Sequence, residues 1–340
     1  MALSGGRLCA LALLIAAAAA RAADCAGDAA CLEARRAAIA AQRRLDDAAG
    51  RDALRAGETL YEHLRLQQHF EFRPGDVLLL RSDELVSAAI SQIATTPAFF
   101  SHAAIVALDE RWQTLEVVEA GVDEGLRATP LDDWLDRDVV RFAVYRHRDA
   151  AVAERAAAAA YRDLVARRGA ALAYDLQFDL DDAARLYCSE VITHAFASAA
   201  PGAQRVPTRL SEVGSLVETF PLAALGVTDA RMFIPDDLET DPRFERVLER
   251  RAPDALEPSS ALDRAVRRVF DALRGPRREA VLAELDEWAA APLHGVPLLL
   301  RGSFETWRRL PEPARARVAA LARRIDADTR RELAASGTQR

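Results

Sequence analysis

Between Phe72 and about Asp237 the chain changes character, and that change constrains the fold more than any other feature. On either side, from Cys31 to about Phe70 and from about Leu238 to Arg340, Ala, Arg, Glu and Leu dominate. This is helical composition. Gly50 and Gly57 divide the first block into two helices, and Pro276, Pro292, Pro297 and Pro311 break the second. The middle opens with Arg73-Pro74-Gly75-Asp76, a turn signal, followed by the apolar run Val77-Leu78-Leu79-Leu80. A short apolar run after a turn reads as a buried strand. His102 to Leu108, Gln113 to Glu119 and Val139 to Tyr145 read as further strands, and Arg231 to Pro235 as a short closing one. Glu84 to Ala94, Ala150 to Arg168 and the segment from Cys188 read as helices. The expected class is α+β, with a core domain at 72–237 between helical regions at 23–71 and 238–340. No internal repeat is evident.

Cys188 opens the last of these helices. From it, Val191, Ile192, Ala195, Phe196 and Ala199 recur with the 3.6-residue period and share its face. A thiol in the first helical turn feels unpaired backbone N–H groups and the positive end of the helix dipole, both of which favour thiolate. Taken by itself, a lone cysteine on an apolar face is more often a small buried hydrophobe.

The N-terminus predicts where the protein works. Arg7 precedes an apolar run too short to span a bilayer, and Ala20-Arg21-Ala22 offers a cleavage site, so 1–22 reads as a secretory signal peptide. Its removal takes away two arginines and no acid, moving the formal charge from −7 to −9. The expected location is periplasmic or secreted, with cell-wall or membrane-surface association and unknown oligomeric state. All 45 basic residues are arginine and no basic stripe is present, which argues against nucleic acid as partner. Of four cysteines, Cys9 leaves with the signal. Cys25 and Cys31 can close a small disulfide loop in an oxidising compartment, leaving Cys188 as the odd thiol. There is no Cys/His cluster at zinc spacing, so no metal and no cofactor are expected. G-x-S-x-G, G-x-G-x-x-G and P-loop patterns do not occur.

The strands around Asp109-Glu110-Arg111-Trp112 form a hairpin. A turn centred between Glu110 and Arg111 places His102 directly opposite Glu119. Opposed residues on antiparallel strands share a face, and a carboxylate there can fix the imidazole tautomer and stabilise the imidazolium. If that face packs on the Cys188 helix, the three residues supply nucleophile, base and orienting group. The plain alternative is a half-buried histidine beside a surface glutamate.

Five segments in order carry a resemblance: Phe72 to Val77, Ser101 to Val106, Val117 to Ala120, Tyr174-Asp175 and Tyr187 to Glu190. Together they resemble the YiiX-like permuted papain-like amidases, relatives of the NlpC-type cell-wall peptidases, over about Phe72 to Pro235. The resemblance implies a circularly permuted papain-like domain with an antiparallel sheet on the Cys-bearing helix. It also implies His102 as base, Glu119 as orienting residue and Cys188 as nucleophile. It further places Asp76 near the site, where a turn carboxylate is the ordinary alternative. Asp175 and Tyr187 are candidate substrate-binding residues. The acidic loop Asp175 to Asp182 predicts a substrate bearing an amine beside the scissile bond, with solvated turn and capping roles as the alternative for Asp179, Asp181 and Asp182. Glu190 reads as a helix-end charge, His194 as structural, His147 as a solvated strand end, and His63, His69 and His294 as surface residues.

The function this implies is cleavage of a peptide or acyl-amide bond through an acyl-cysteine. Two alternatives stay open. One is a lipid esterase, thioesterase or acyltransferase using the same three residues on a small-molecule, peptide or lipid substrate. The other is a binding module that keeps the groove without the chemistry.

Overall fold

The computed structural model describes residues 25, 28–50, 52–67, 70–122, 124–166, 174–182, 184–219, 222–290 and 310–337. The segment read as a signal peptide, His69, His294, Pro292 and Pro297 lie outside the described residues. Two N-terminal helices, α1 (Ala29–Ala49) and α2 (Leu60–Leu66), lead into β1 (Val77–Arg81) and α3 (Leu85–Gln92). Then follow β2 (His102–Asp109), β3 (Thr114–Gly121), β4 (Gly125–Pro130), α4 (Leu131–Leu135), β5 (Arg141–His147), α5 (Ala150–Ala166) and α6 (Cys188–Ala199). A two-stranded ribbon, β6 (Ser211–Glu212) with β7 (Arg231–Met232), brackets the short helix α7 (Leu222–Leu225). After a 3-10 turn at Pro235–Thr240 come β8 (Phe244–Arg251), α8 (Pro253–Arg274), α9 (Arg278–Ala289) and α10 (Glu312–Ser336).

Six strands form one antiparallel sheet in the order β4-β3-β2-β1-β5-β8. Both faces are covered, which is why β1 reads as a continuous apolar run. Val77, Leu79, Ala103, Ile105 and Ala107 face α5 and α6, while Leu78, Leu80, Ala104 and Val106 face Trp134 and Leu60. Gly75 turns the chain into β1 at φ 90°, where a Cβ would lie 2.4 Å from the Ala153 carbonyl oxygen of α5. Only glycine fits that approach.

Two expectations need correction. The first is the boundary at 237, because Phe244–Arg251 is a strand of the main sheet and not part of a helical region. Its charged residues look helical in sequence but serve buried ion pairs. Arg43 of α1 binds both Glu239 and Glu249, and Arg141 of β5 also reaches Glu249. The same contacts, with Arg36 on Asp237, weld α1 to the sheet.

The second is the hairpin register. Asp109 pairs with Thr114 and Ile105 with Val118, so the loop holds four residues and is centred between Arg111 and Trp112. The Asp109 carboxylate accepts the Arg111 and Trp112 amides and Gln113 sits at φ 55°, which moves the turn one residue along the chain. His102 is therefore offset from Glu119 by two residues. A two-residue offset keeps both side chains on one face.

Candidate active site

Cys188 is N-terminal in α6 because Tyr187 before it is extended, at φ −94° and ψ 171°, and the apolar stripe begins there. Val191, Ile192, Ala195 and Phe196 bury that stripe against β2, β3 and α5. The helix thereby delivers the thiol to the start of β2, where the Ala103 backbone N–H is directed at the sulfur. His102 is the first residue of β2. The face it shares with Glu119 is the Trp134 face, not the one packed on α6, so imidazole and thiol meet around the end of the strand.

His102 Nε2 lies 2.7 Å from Glu119 Oε2, which leaves Nδ1 as the nitrogen for the thiol. Glu119 is fully buried and fully satisfied. Its Oε2 also accepts from Trp134 Nε1 at 2.9 Å, and its Oε1 accepts from Arg127 Nη2 at 2.7 Å and Arg137 Nη2 at 2.6 Å. Burial raises this carboxyl, but His102 and Arg137 outweigh it and hold it far below the usual carboxylate range. For His102 burial disfavours charge, yet Cys188 and Glu119 together raise the imidazolium to about 10. Burial likewise pushes the Cys188 thiol up, and His102, the Ala103 amide and Ser189 bring it below its ordinary value. The net drift of both groups is toward a thiolate–imidazolium pair.

Tyr174 is the residue the sequence argument passes over. It lies in the quoted Tyr174-Asp175 pair, and its buried phenol touches both the thiol and the backbone N–H of Cys188. Burial, then Cys188, hold that phenol well above its ordinary pKa, so it stays a donor. Arg127 and Arg137 are missed too, because they come from segments with no apolar pattern. With Cys188, His102 and Tyr174 they line a cleft of about 220 Å³ whose one acid among the described residues is Glu84.

Three candidates fall elsewhere. Asp175 is buried, and its two oxygens accept the Gln177 and Asp179 amides at 2.9 and 2.6 Å. Tyr187 is buried with its hydroxyl accepting the Phe233 N–H at 3.2 Å. Asp76 accepts from the Arg73 amide and from Arg146 Nε at 2.9 and 2.7 Å, closing the turn before β1. None of the three lines the cleft, and the acidic loop folds on itself through Asp182–Arg185 and Asp179–Asp181 bonds. An amine-bearing substrate thus loses its motivation.

Other positions differ in detail. Glu190 is fully buried, accepts the Tyr187 amide, and is pushed up to about 9 by desolvation. It is a neutral cap and not a helix-end charge. His147 packs between Phe196 and Phe244, and His63 is buried against Glu58, so neither is a surface group. His194 is half-buried on α6. Asp236 accepts the Phe99 and Phe100 amides at 2.8 and 2.9 Å, tethering the chain just before His102. Cys25 and Cys31 are joined in a disulfide, and Cys188 is the free cysteine among the described residues. Among the described residues no cluster of His, Cys, Asp and Glu could hold a metal ion, and no helix is long and apolar enough to cross a membrane.

A sequence model of a family described as permuted papain-like amidase enzyme, YaeF/YiiX, C92 family, matches residues 71–248. No curated protein and no solved structure matches the chain significantly.

Proposed function

Because this chain belongs to the permuted papain-like amidase family of the YaeF/YiiX type, we propose that it is an exported cysteine amidase acting through an acyl-cysteine. The observation that carries this reading is the joint placement of Cys188, at a helix N-terminus, and the Glu119-held His102 in one cleft. The order His102, Glu119, Cys188 is the permuted counterpart of the NlpC-type arrangement. The Cys25–Cys31 disulfide supports export, since such bonds persist in oxidising compartments.

In this reading the Cys188 thiolate attacks the amide carbonyl carbon. The oxyanion receives hydrogen bonds from the Cys188 backbone N–H and the Tyr174 hydroxyl, which the two groups' proximity supports. As the C–N bond breaks, the His102 imidazolium gives its proton to the departing nitrogen, releasing the amine and leaving a thioester. Neutral His102 then takes a proton from water, hydroxide adds to the thioester carbonyl, and the C–S bond breaks. A carboxylic acid leaves, and the thiolate–imidazolium pair returns. Glu119 orients His102 throughout.

The test is turnover of a panel of acyl-amides by the mature chain and by Cys188→Ala. The substitution removes little volume, so the expected result is a folded protein without turnover. Full activity in the alanine variant would overturn the proposal.

A further inference from the structure

We propose that Arg127 and Arg137 form an anion subsite on the leaving-group side of the cleft, making the substrate an amide whose amine carries a carboxylate or phosphate. This rests on the reading of Cys188 as nucleophile and of His102 as the acid that protonates the departing nitrogen.

Placement carries the argument. An amide carbon at the Cys188 sulfur turns its oxygen toward the Cys188 N–H and Tyr174 and its nitrogen toward His102. The substrate beyond that nitrogen runs along the wall where His102 meets Glu119. Both guanidiniums converge there, because each is bonded to Glu119 and lines the same cleft as Cys188 and His102. The Glu119 side chain is fully buried, whereas those of Arg127 and Arg137 are 34% and 29% exposed. A ligand in the cleft therefore meets the arginines and not the carboxylate.

Holding Glu119 does not use up either guanidinium. Arg137 gives Nη1 and Nη2 to that carboxylate, and its Nε makes no hydrogen bond among the described residues. Arg127 gives Nε and Nη2 to Glu119 and Nη1 to Glu124. Every Nη carries a second N–H. Gly121 lies beside Arg127 in the cleft wall, where a Cβ would come within 3.6 Å of Arg127 Cζ. No side chain covers the guanidinium from that position.

Charge points the same way. Two guanidiniums and the imidazolium stand against Glu119 and the thiolate, which leaves a positive excess. Glu124, the outer partner of Arg127, is 60% exposed, so solvent and salt screen it. Across the cleft, burial raises the Glu84 carboxyl from its ordinary value, which weakens its opposition to an anion. Planar guanidiniums suit carboxylate and phosphate oxygens because they offer paired, charge-assisted donors.

The test uses N-acetylglycine, N-acetyl-2-aminoethyl phosphate and neutral N-acetylglycinamide. N-methylsuccinamate, with its carboxylate on the acyl side, is the positional control. Binding to Cys188→Ala is measured by calorimetry, and kcat/KM with the unaltered protein. Carboxylate or phosphate on the amine side should exceed the neutral amide on the order of tenfold, the effect of one hydrogen bond to a charged group. The larger of the two gains identifies which anion the subsite takes. Arg137→Gln should bring the ratio of anionic to neutral kcat/KM toward one, while Arg137→Lys keeps part of it. Arginines that only support Glu119 would lower all turnover alike and leave the ratio unchanged, which would overturn the subsite. If circular dichroism shows Arg137→Gln unfolded, Arg127→Gln carries the same expectation, and added salt should shrink the ratio in the unaltered protein. Equal binding of anionic and neutral compounds to Cys188→Ala, or a preference for N-methylsuccinamate, would overturn the subsite, and turnover by the unaltered protein alone would leave the nucleophile standing. Preferential anion binding with turnover retained in Cys188→Ala would do the reverse.

Discussion

His102 Nε2 and Glu119 Oε2 lie 2.7 Å apart although the two residues are not paired across β2 and β3. The diagonal contact works because a long imidazole and a long carboxylate can span the offset between next-nearest cross-strand positions. Glu119 is held by two arginines and Trp134 as well. The two guanidiniums more than balance its charge, so its main service to His102 is orientation. Glu119→Gln should lower kcat/KM by about 10²–10⁴-fold, the range of a misplaced general base. It should also lower the melting temperature, because Arg127 and Arg137 lose their shared anion. Steady-state kinetics and thermal unfolding check both, and unchanged kinetics would contradict the orienting role.

The pH dependence follows from the same pair. The Cys188 thiol is lowered and the His102 imidazolium raised to about 10. The profile of kcat/KM should be bell-shaped, with its acid limb below the ordinary thiol range and its alkaline limb near 10. For stability the sign is set by His102. Its folded pKa exceeds the unfolded value of about 6.5, so its contribution is complete below about 6.5 and is lost as pH rises through about 10. Melting curves of the unaltered protein and His102→Ala should therefore converge at the alkaline end.

Arg43 ties α1 to Glu239 and Glu249 inside the protein. Arg43→Met leaves two buried carboxylates short of their partner, and breaking such a pair costs about 3–5 kcal/mol. Urea denaturation should show a loss of that size. A loss under about 1 kcal/mol, the range of exposed pairs, would mean that α1 is a separable attachment.

Asp175 serves its own turn. Asp175→Asn keeps one acceptor oxygen for two amides, leaving a buried N–H unsatisfied at about 1–3 kcal/mol. Stability should fall by that amount while the ratio of kcat/KM for cationic and neutral acyl-amides stays constant. A changed ratio would return Asp175 to the substrate.

Most central elements were legible from pattern. Val77 to Leu80 is apolar throughout because both sheet faces are covered, and the stripe from Val191 to Ala199 names the buried side of α6. β4 escaped because it is a half-buried edge strand with the sequence Gly-Leu-Arg-Ala-Thr-Pro. β8 escaped because Glu249 and Arg251 use their charges inside the protein. At the site, the His102–Glu119 contact is legible by parity even though the turn is centred one residue further along than the sequence implies. The charge of Asp175 is visible in the sequence, whereas the Gln177 and Asp179 amides that its oxygens accept are set by the fold of the loop. Tyr174, one residue earlier, faces the cleft. Arg127 and Arg137 reach Glu119 through tertiary packing that no local period records.

The central claim is that Cys188 is held as a thiolate by His102. The direct measurement is the rate of Cys188 alkylation by iodoacetamide against pH, followed by peptide mass spectrometry in the unaltered protein and in His102→Ala. The account predicts labelling at pH 6 faster than that of a free cysteine, whose pKa is about 8.5, and loss of this advantage in His102→Ala. Labelling that follows an ordinary thiol titration in both proteins would contradict it.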